Sequence, residues 1–109
     1  MFIREERIML DRQTQPLEIA ARVLTPDTLT HVRKAPYHLR GWHILDRWAL
    51  NSPDQLWALA ASGEVALLGR LLEQQALEQQ IVLDNLALLA DGVSEAEILQ
   101  MHGVQTELV

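Results

Sequence analysis

The sequence predicts an all-α fold: a compact helical bundle of about five to seven helices with one long central helix over about residues 64–90. Three observations carry that expectation. Hydrophobic residues make up 49% of the chain but aromatics only 5%, so the apolar share is mostly leucine and alanine, which lose least on entering a helix. Pro, Ser and Thr recur where helices should start, and Gly where they should stop. No stretch sustains period-2 alternation of β-branched residues, and no Asn-Gly or Asp-Gly turn joins two such stretches.

Taken in order, a helical segment is expected over residues 3–12 and another from about Pro16 to Leu24. The next runs from Pro26 to Lys34, begun by Thr25-Pro26-Asp27: a capping hydroxyl, a proline at the first helical position and an acid facing the positive helix end. Ala35-Pro36 breaks the chain, because the residue before a proline avoids helical backbone angles. A helix follows from about Tyr37 to Leu50. Ser52-Pro53-Asp54 then repeats the start signal for a helix to Ala61. After Gly63 comes the long helix, Glu64 to Ala90, and after Gly92 a short one from Glu95 to His102, with Ser94 and Glu97 at capping-box spacing.

Length and composition set further bounds. The 109 residues suit a single helical domain, 1–109. The absence of cysteine excludes disulfides, thiolate metal sites and a cysteine nucleophile, and points to the cytoplasm. No run of about 18 apolar residues exists to span a membrane, and charges interrupt MFIREERIML at the start, unlike a signal peptide. The net charge of −6 is unevenly placed. Residues 31–48 carry four Lys/Arg against Asp46, whereas residues 49–109 carry Arg70 alone against nine acids. This balance disfavours nucleic acid as the main partner.

The long helix carries the first candidate contact surface. Val65, Leu68, Leu72, Ala76, Leu83, Leu86 and Leu89 form one stripe at helical spacing, with Gln75 and Gln79 within it, and Leu67, Leu71, Ile81 and Leu88 form a second line. A helix apolar on two faces is deeply buried or covered by another chain, and coverage by a partner is the simpler solution in a small domain. Leu68, Leu71, Leu72, Gln75, Gln79, Val82 and Leu86 are therefore the expected partner or dimer face. Ala66, Gly69 and Ala76 would admit a close backbone. Gln74, Gln75, Gln79 and Gln80 read first as a solvated waist, and second as polar residues that set register in a seam.

The second candidate surface is the basic segment, where Arg33, Lys34, Arg40, Trp42 and Arg47 interleave cations with an aromatic ring. Such a run suits an acidic protein surface or a nucleic-acid strand. The plainer reading makes Trp42, Trp48 and Trp57 core residues flanked by solvated arginines.

Catalytic patterns are missing from the sequence. His38 and His43 are five apart, not the four that brings two rings to one helix face. Asp46 stands three past His43 and is placed to orient that ring. No serine lies in a nucleophile elbow and no glycine-rich loop would cradle a phosphate. No enzyme activity, metal or cofactor is expected.

Residues 89–104, LADGVSEAEILQMHGV, resemble the first part of a helix-turn-helix of the LuxR or sigma-factor type. The resemblance implies a capped short helix, a turn and then a recognition helix. Only five residues follow Val104, none basic, so the recognition helix that reads the major groove is absent and ordinary helix capping accounts for the pattern. The expected function is a noncatalytic protein-binding regulator, a small anti-activator or inhibitor of a protein such as a transcription regulator, homodimeric through the long helix. The alternative is a small nucleic-acid-binding regulator using residues 31–48.

Overall fold

Asp46 ties the segment around Leu17 and Ala20 to the body of the fold. The computed structural model describes residues 15–108, so the expected helix over residues 3–12 lies outside them. The two Asp46 carboxylate oxygens accept the Leu17 and Ala20 amides, each at 2.8 Å. This grip, with Leu17 in left-handed backbone at φ 74°, replaces the helix expected over Pro16–Leu24 by turns and a three-residue 3-10 helix, Ala20–Arg22. A leucine in that conformation costs on the order of 1–2 kcal/mol, offset by the two charge-assisted bonds and by a side chain only 2% exposed.

Six α-helices follow, and no strand occurs among the described residues. Helix α1 (Pro26–Val32) starts where the Thr25 hydroxyl accepts the Thr28 amide at 3.3 Å. Helix α2 (Leu39–Asn51) buries Gly41, Ile44, Leu45, Trp48 and Ala49, the i, i+3, i+4, i+7, i+8 face of an amphipathic helix. Helix α3 (Pro53–Ala61) buries Leu56, and α4 (Glu64–Leu83) is the long helix. The short α5 (Leu86–Ala90) and α6 (Glu95–Met101) close the bundle, α6 beginning with a complete capping box between Ser94 and Glu97.

The long helix is shorter than expected because Asn85 breaks it. Its side-chain Nδ2 donates to the Ile81 carbonyl at 2.7 Å, the acceptor its own amide would use in a continued α-helix. That amide turns instead to the Val82 carbonyl, three residues back, at 3.0 Å. A side chain competing with the helix ladder in this way ends helices.

The core joins α2 and α4. Leu17, Ala20, Leu24, Leu29, Val32, Ile44, Leu45, Trp48, Leu56, Leu67 and Leu71 form one buried cluster. Gly41 permits the close approach of the two helices, because any Cβ there would collide with the Gln75 side-chain oxygen. The aromatic residues divide. Trp48 is fully buried, and Trp42 is half-buried with its indole N–H donating to the Val32 carbonyl at 2.7 Å. Trp57, expected in the core, is 63% exposed. Tyr37 donates its hydroxyl to the Leu68 carbonyl at 2.9 Å, and burial pushes that phenol above its ordinary pKa.

Candidate functional site

The core face of α4 is polar in the middle. Leu67, Leu71, Gln74, Gln75, Glu78 and Val82 are its buried residues, a run at i, i+4, i+7, i+8, i+11 and i+15 that faces one way. A buried carboxylate is tolerated only when paired and hydrogen-bonded, and Glu78, 2% exposed, is both. Arg47 of α2 donates Nη1 to Oε1 at 3.2 Å and Nη2 to Oε2 at 2.6 Å. Gln74 donates to the same Oε2 at 2.6 Å and to the Gln105 carbonyl at 2.9 Å. Gln74 in turn accepts from Arg70 at 2.7 Å, and the Arg70 guanidinium lies 5.1 Å from the centroid of the Trp48 ring.

This network holds the chain after α6 as an extended strap. The Thr106 carbonyl accepts from Arg47 Nε at 3.0 Å, Arg47 Nη2 at 2.6 Å and the Trp48 indole N–H at 2.9 Å. Asn51 donates to the Glu107 carboxylate at 3.1 Å, and Leu108 packs on the core cluster. Gln75 makes a separate tie, donating to the Pro36 carbonyl at 3.0 Å and accepting the His38 amide at 3.2 Å. Two of the four glutamines expected as a solvated waist, Gln74 and Gln75, are thus buried, each with its side-chain oxygen and nitrogen both hydrogen-bonded. Gln79 is half-buried and Gln80 exposed.

Above the network lies a cleft of about 1250 Å³, open to solvent on one side, between the first half of α2, the end of α4, and α6 with its strap. Ile44, Val82 and Leu99 form its apolar floor beside Arg47 and Glu78. Leu39 and Leu83 stand on its lips, 49% and 51% exposed. One end is clipped by Arg40, which donates to Glu95 at 2.8 and 3.3 Å. The bond from Arg40 holds the Glu95 carboxyl below its ordinary pKa; burial opposes the shift, and the charges of Arg40 and His43 add to it. His38 and His43 also border the cleft, but Asp46 does not orient His43, since both its oxygens serve the Leu17 and Ala20 amides. Among the described residues no three His, Asp or Glu side chains are grouped to hold a metal ion, and no helix is long and apolar enough to cross a membrane.

The residues expected to form a face on the long helix are separated by the fold. Leu71 and Gln75 are buried in the chain's own core, so they offer no surface to a partner, and Val82, 3% exposed, lies on the floor of the cleft and not on an open helix face. Leu68, Leu72 and Gln79 are half-buried. Leu86 is exposed but belongs to α5, beyond the Asn85 break. The physical reason is that α4 packs on α2, α3 and α6, so its own chain supplies the covering that the sequence assigns to a partner. The small residues Ala66, Gly69 and Ala76 are exposed, with nothing near Gly69.

The basic segment is also divided. Arg33 and Lys34 are exposed at the end of α1, whereas Arg40 and Arg47 are occupied by Glu95 and Glu78, and Trp42 is turned to Val32. Glu78 is not legible from local pattern as a site residue, because its partner Arg47 lies 31 residues away. The one available signal is its place on the line of Leu67, Leu71 and Val82 at helical spacing. In place of a recognition helix, α6 is followed by the strap, in keeping with ordinary capping of that helix. Comparison of the chain with family models, curated proteins and solved structures finds no match.

Proposed function

We propose that this protein is a noncatalytic protein-binding regulator that takes an apolar segment of another polypeptide into the cleft between α2, α4 and α6. The observation that carries the reading is the pair of half-exposed lips, Leu39 and Leu83, above an apolar floor of Ile44, Val82 and Leu99. Concave apolar surfaces with a few fixed polar groups are where helices and extended peptides bind, and leucines left in water at the rim gain by being covered. The Arg47–Glu78 pair and the strap hold the walls in place before binding, which lowers the entropy cost of association.

In its finer form the proposal makes the protein a cytoplasmic inhibitor or anti-activator of a protein such as a transcription regulator. Size and acidity support that choice. A homodimer through the α4 core face is not part of the proposal, because Leu71 and Gln75 would first have to leave the core. The test is affinity capture from the native host with the wild-type chain, the Leu39→Asp/Leu83→Asp variant, and Val65→Asp as a control on the exposed side of α4. A stoichiometric partner should be retained by wild type and control and lost by the cleft variant. Equal retention by all three would refute the cleft reading.

A further inference from the structure

Helix α5 is a second surface, and its surroundings say what kind of partner fits it. It consists only of leucine and alanine, Leu86–Ala90, and none of its residues is buried. Leu86 is 55% exposed, and Leu83, just before the break, is 51% exposed. The presentation is fixed and not a frayed end. Asn85 hooks the Ile81 carbonyl at the start, while the Gly92 and Val93 amides donate to the Leu89 and Leu88 carbonyls at the finish, each at 3.0 Å. Leu88 and Leu89 are half-buried, so the surface the helix offers to water is Leu86 with Ala87 and Ala90, and contiguous apolar surface held out on a fixed element is a mark of an interaction site.

Charge then selects the occupant. Asp84 and Asp91 bracket α5 and are both exposed. Residues 83–103 carry four acids and no Lys or Arg, and among the described residues only Glu95 of the four is paired with a cation. Resting on the reading that this chain binds proteins, we infer that α5 is the docking site of a basic amphipathic helix from another protein. Its apolar face would cover Leu86 and Ala90, and Lys or Arg side chains flanking that face would meet Asp84 and Asp91. Opposite charges around an apolar patch speed encounter and set register. A second copy docking by the same face would bring the aspartates against each other, a repulsion that specificity devices exploit. Anionic lipid headgroups are repelled in the same way.

The test uses the full-length, isotope-labelled chain and two synthetic 18-residue helices with one leucine face, flanked by Lys in the first and by Glu in the second. NMR shift changes on adding the Lys helix should centre on residues 84–91 at one-to-one stoichiometry. The affinity should fall about tenfold or more in high salt and for Asp84→Lys/Asp91→Lys. It should also fall for Leu86→Asp, which nonspecific charge attraction would not require, and circular dichroism would check that each variant folds. Absence of Lys-helix binding, or equal binding of both helices, would overturn the assignment. Shifts confined to Ile44, Val82 and Leu99 would overturn it while leaving the cleft reading intact. Shifts at residues 84–91 that grow with protein concentration alone would replace the basic partner by a second copy.

Discussion

Arg47 reaches from α2 to grip both carboxylate oxygens of Glu78 on α4, and the same guanidinium holds the Thr106 carbonyl of the strap. One side chain thereby joins three segments distant in sequence. Glu78 is sealed from water while Arg47 keeps 26% of its side chain exposed, so the two ends of the pair are not equivalent. Removing Arg47 strands a buried charge. Arg47→Ala should cost about 3–5 kcal/mol in denaturant unfolding, whereas the double variant Arg47→Met/Glu78→Leu should cost clearly less than Arg47→Ala alone. A double variant at least as unstable as Arg47→Ala would show that lost packing, not the stranded charge, sets the cost.

Gly41 and Gln75 mark the closest approach of α2 and α4. Gly41→Ala gains helix propensity of about 1 kcal/mol but drives a methyl into Gln75, whose oxygen and nitrogen are both committed. Net destabilisation of about 1–2 kcal/mol is expected, measured by thermal or chemical unfolding. Adding Gln75→Ala should remove the collision, so the two changes together should cost less than their sum. Strict additivity would contradict the account.

Asp46 holds two amides that no other group in the described chain satisfies. Asp46→Ala should destabilise by about 2–4 kcal/mol, since bonds to a charged acceptor contribute more than neutral ones. The effect should be local first. Hydrogen exchange of the Leu17 and Ala20 amides should quicken well before that of α4. Uniform quickening along the chain would argue against a local clamp.

Glu95 gives a pH dependence of defined sign. Its folded pKa lies below the ordinary value of 4.5, chiefly through the Arg40 bond. The clip therefore stabilises the fold above pH 4.5 and loses that contribution as pH falls through the lowered folded value. The carboxylate is half-exposed, so the effect is small, under about 1 kcal/mol. Carboxyl NMR titration should place the Glu95 midpoint below 4.5 and return it toward 4.5 in Arg40→Gln. A wild-type midpoint at or above 4.5 would refute the clip.

Helix starts were legible wherever the cap is local. Thr25 and Ser94 each act within three residues of themselves, so the sequence alone locates them. The misses share a cause: a side chain acting at a distance, or against the local pattern. The helix expected over Pro16–Leu24 gives way to Asp46, which lies 26 and 29 residues from the amides it binds. The long helix ends at Asn85 through one side-chain bond that no periodicity reports. Glu78 hid on an apolar line because its partner sits 31 residues away. The strap has no periodicity and is held mainly by its carbonyls, which every sequence possesses, so only the fold makes it visible.

The central claim is that a partner is received in the cleft between α2, α4 and α6, not on the core face of α4. Hydrogen-exchange mass spectrometry of the chain, alone and bound to the captured partner, tests it most directly. Protection should rise in residues 38–47, 79–83 and 95–104 and stay unchanged across residues 64–72. Protection centred on residues 64–72, or absent from all three cleft segments, would contradict the claim.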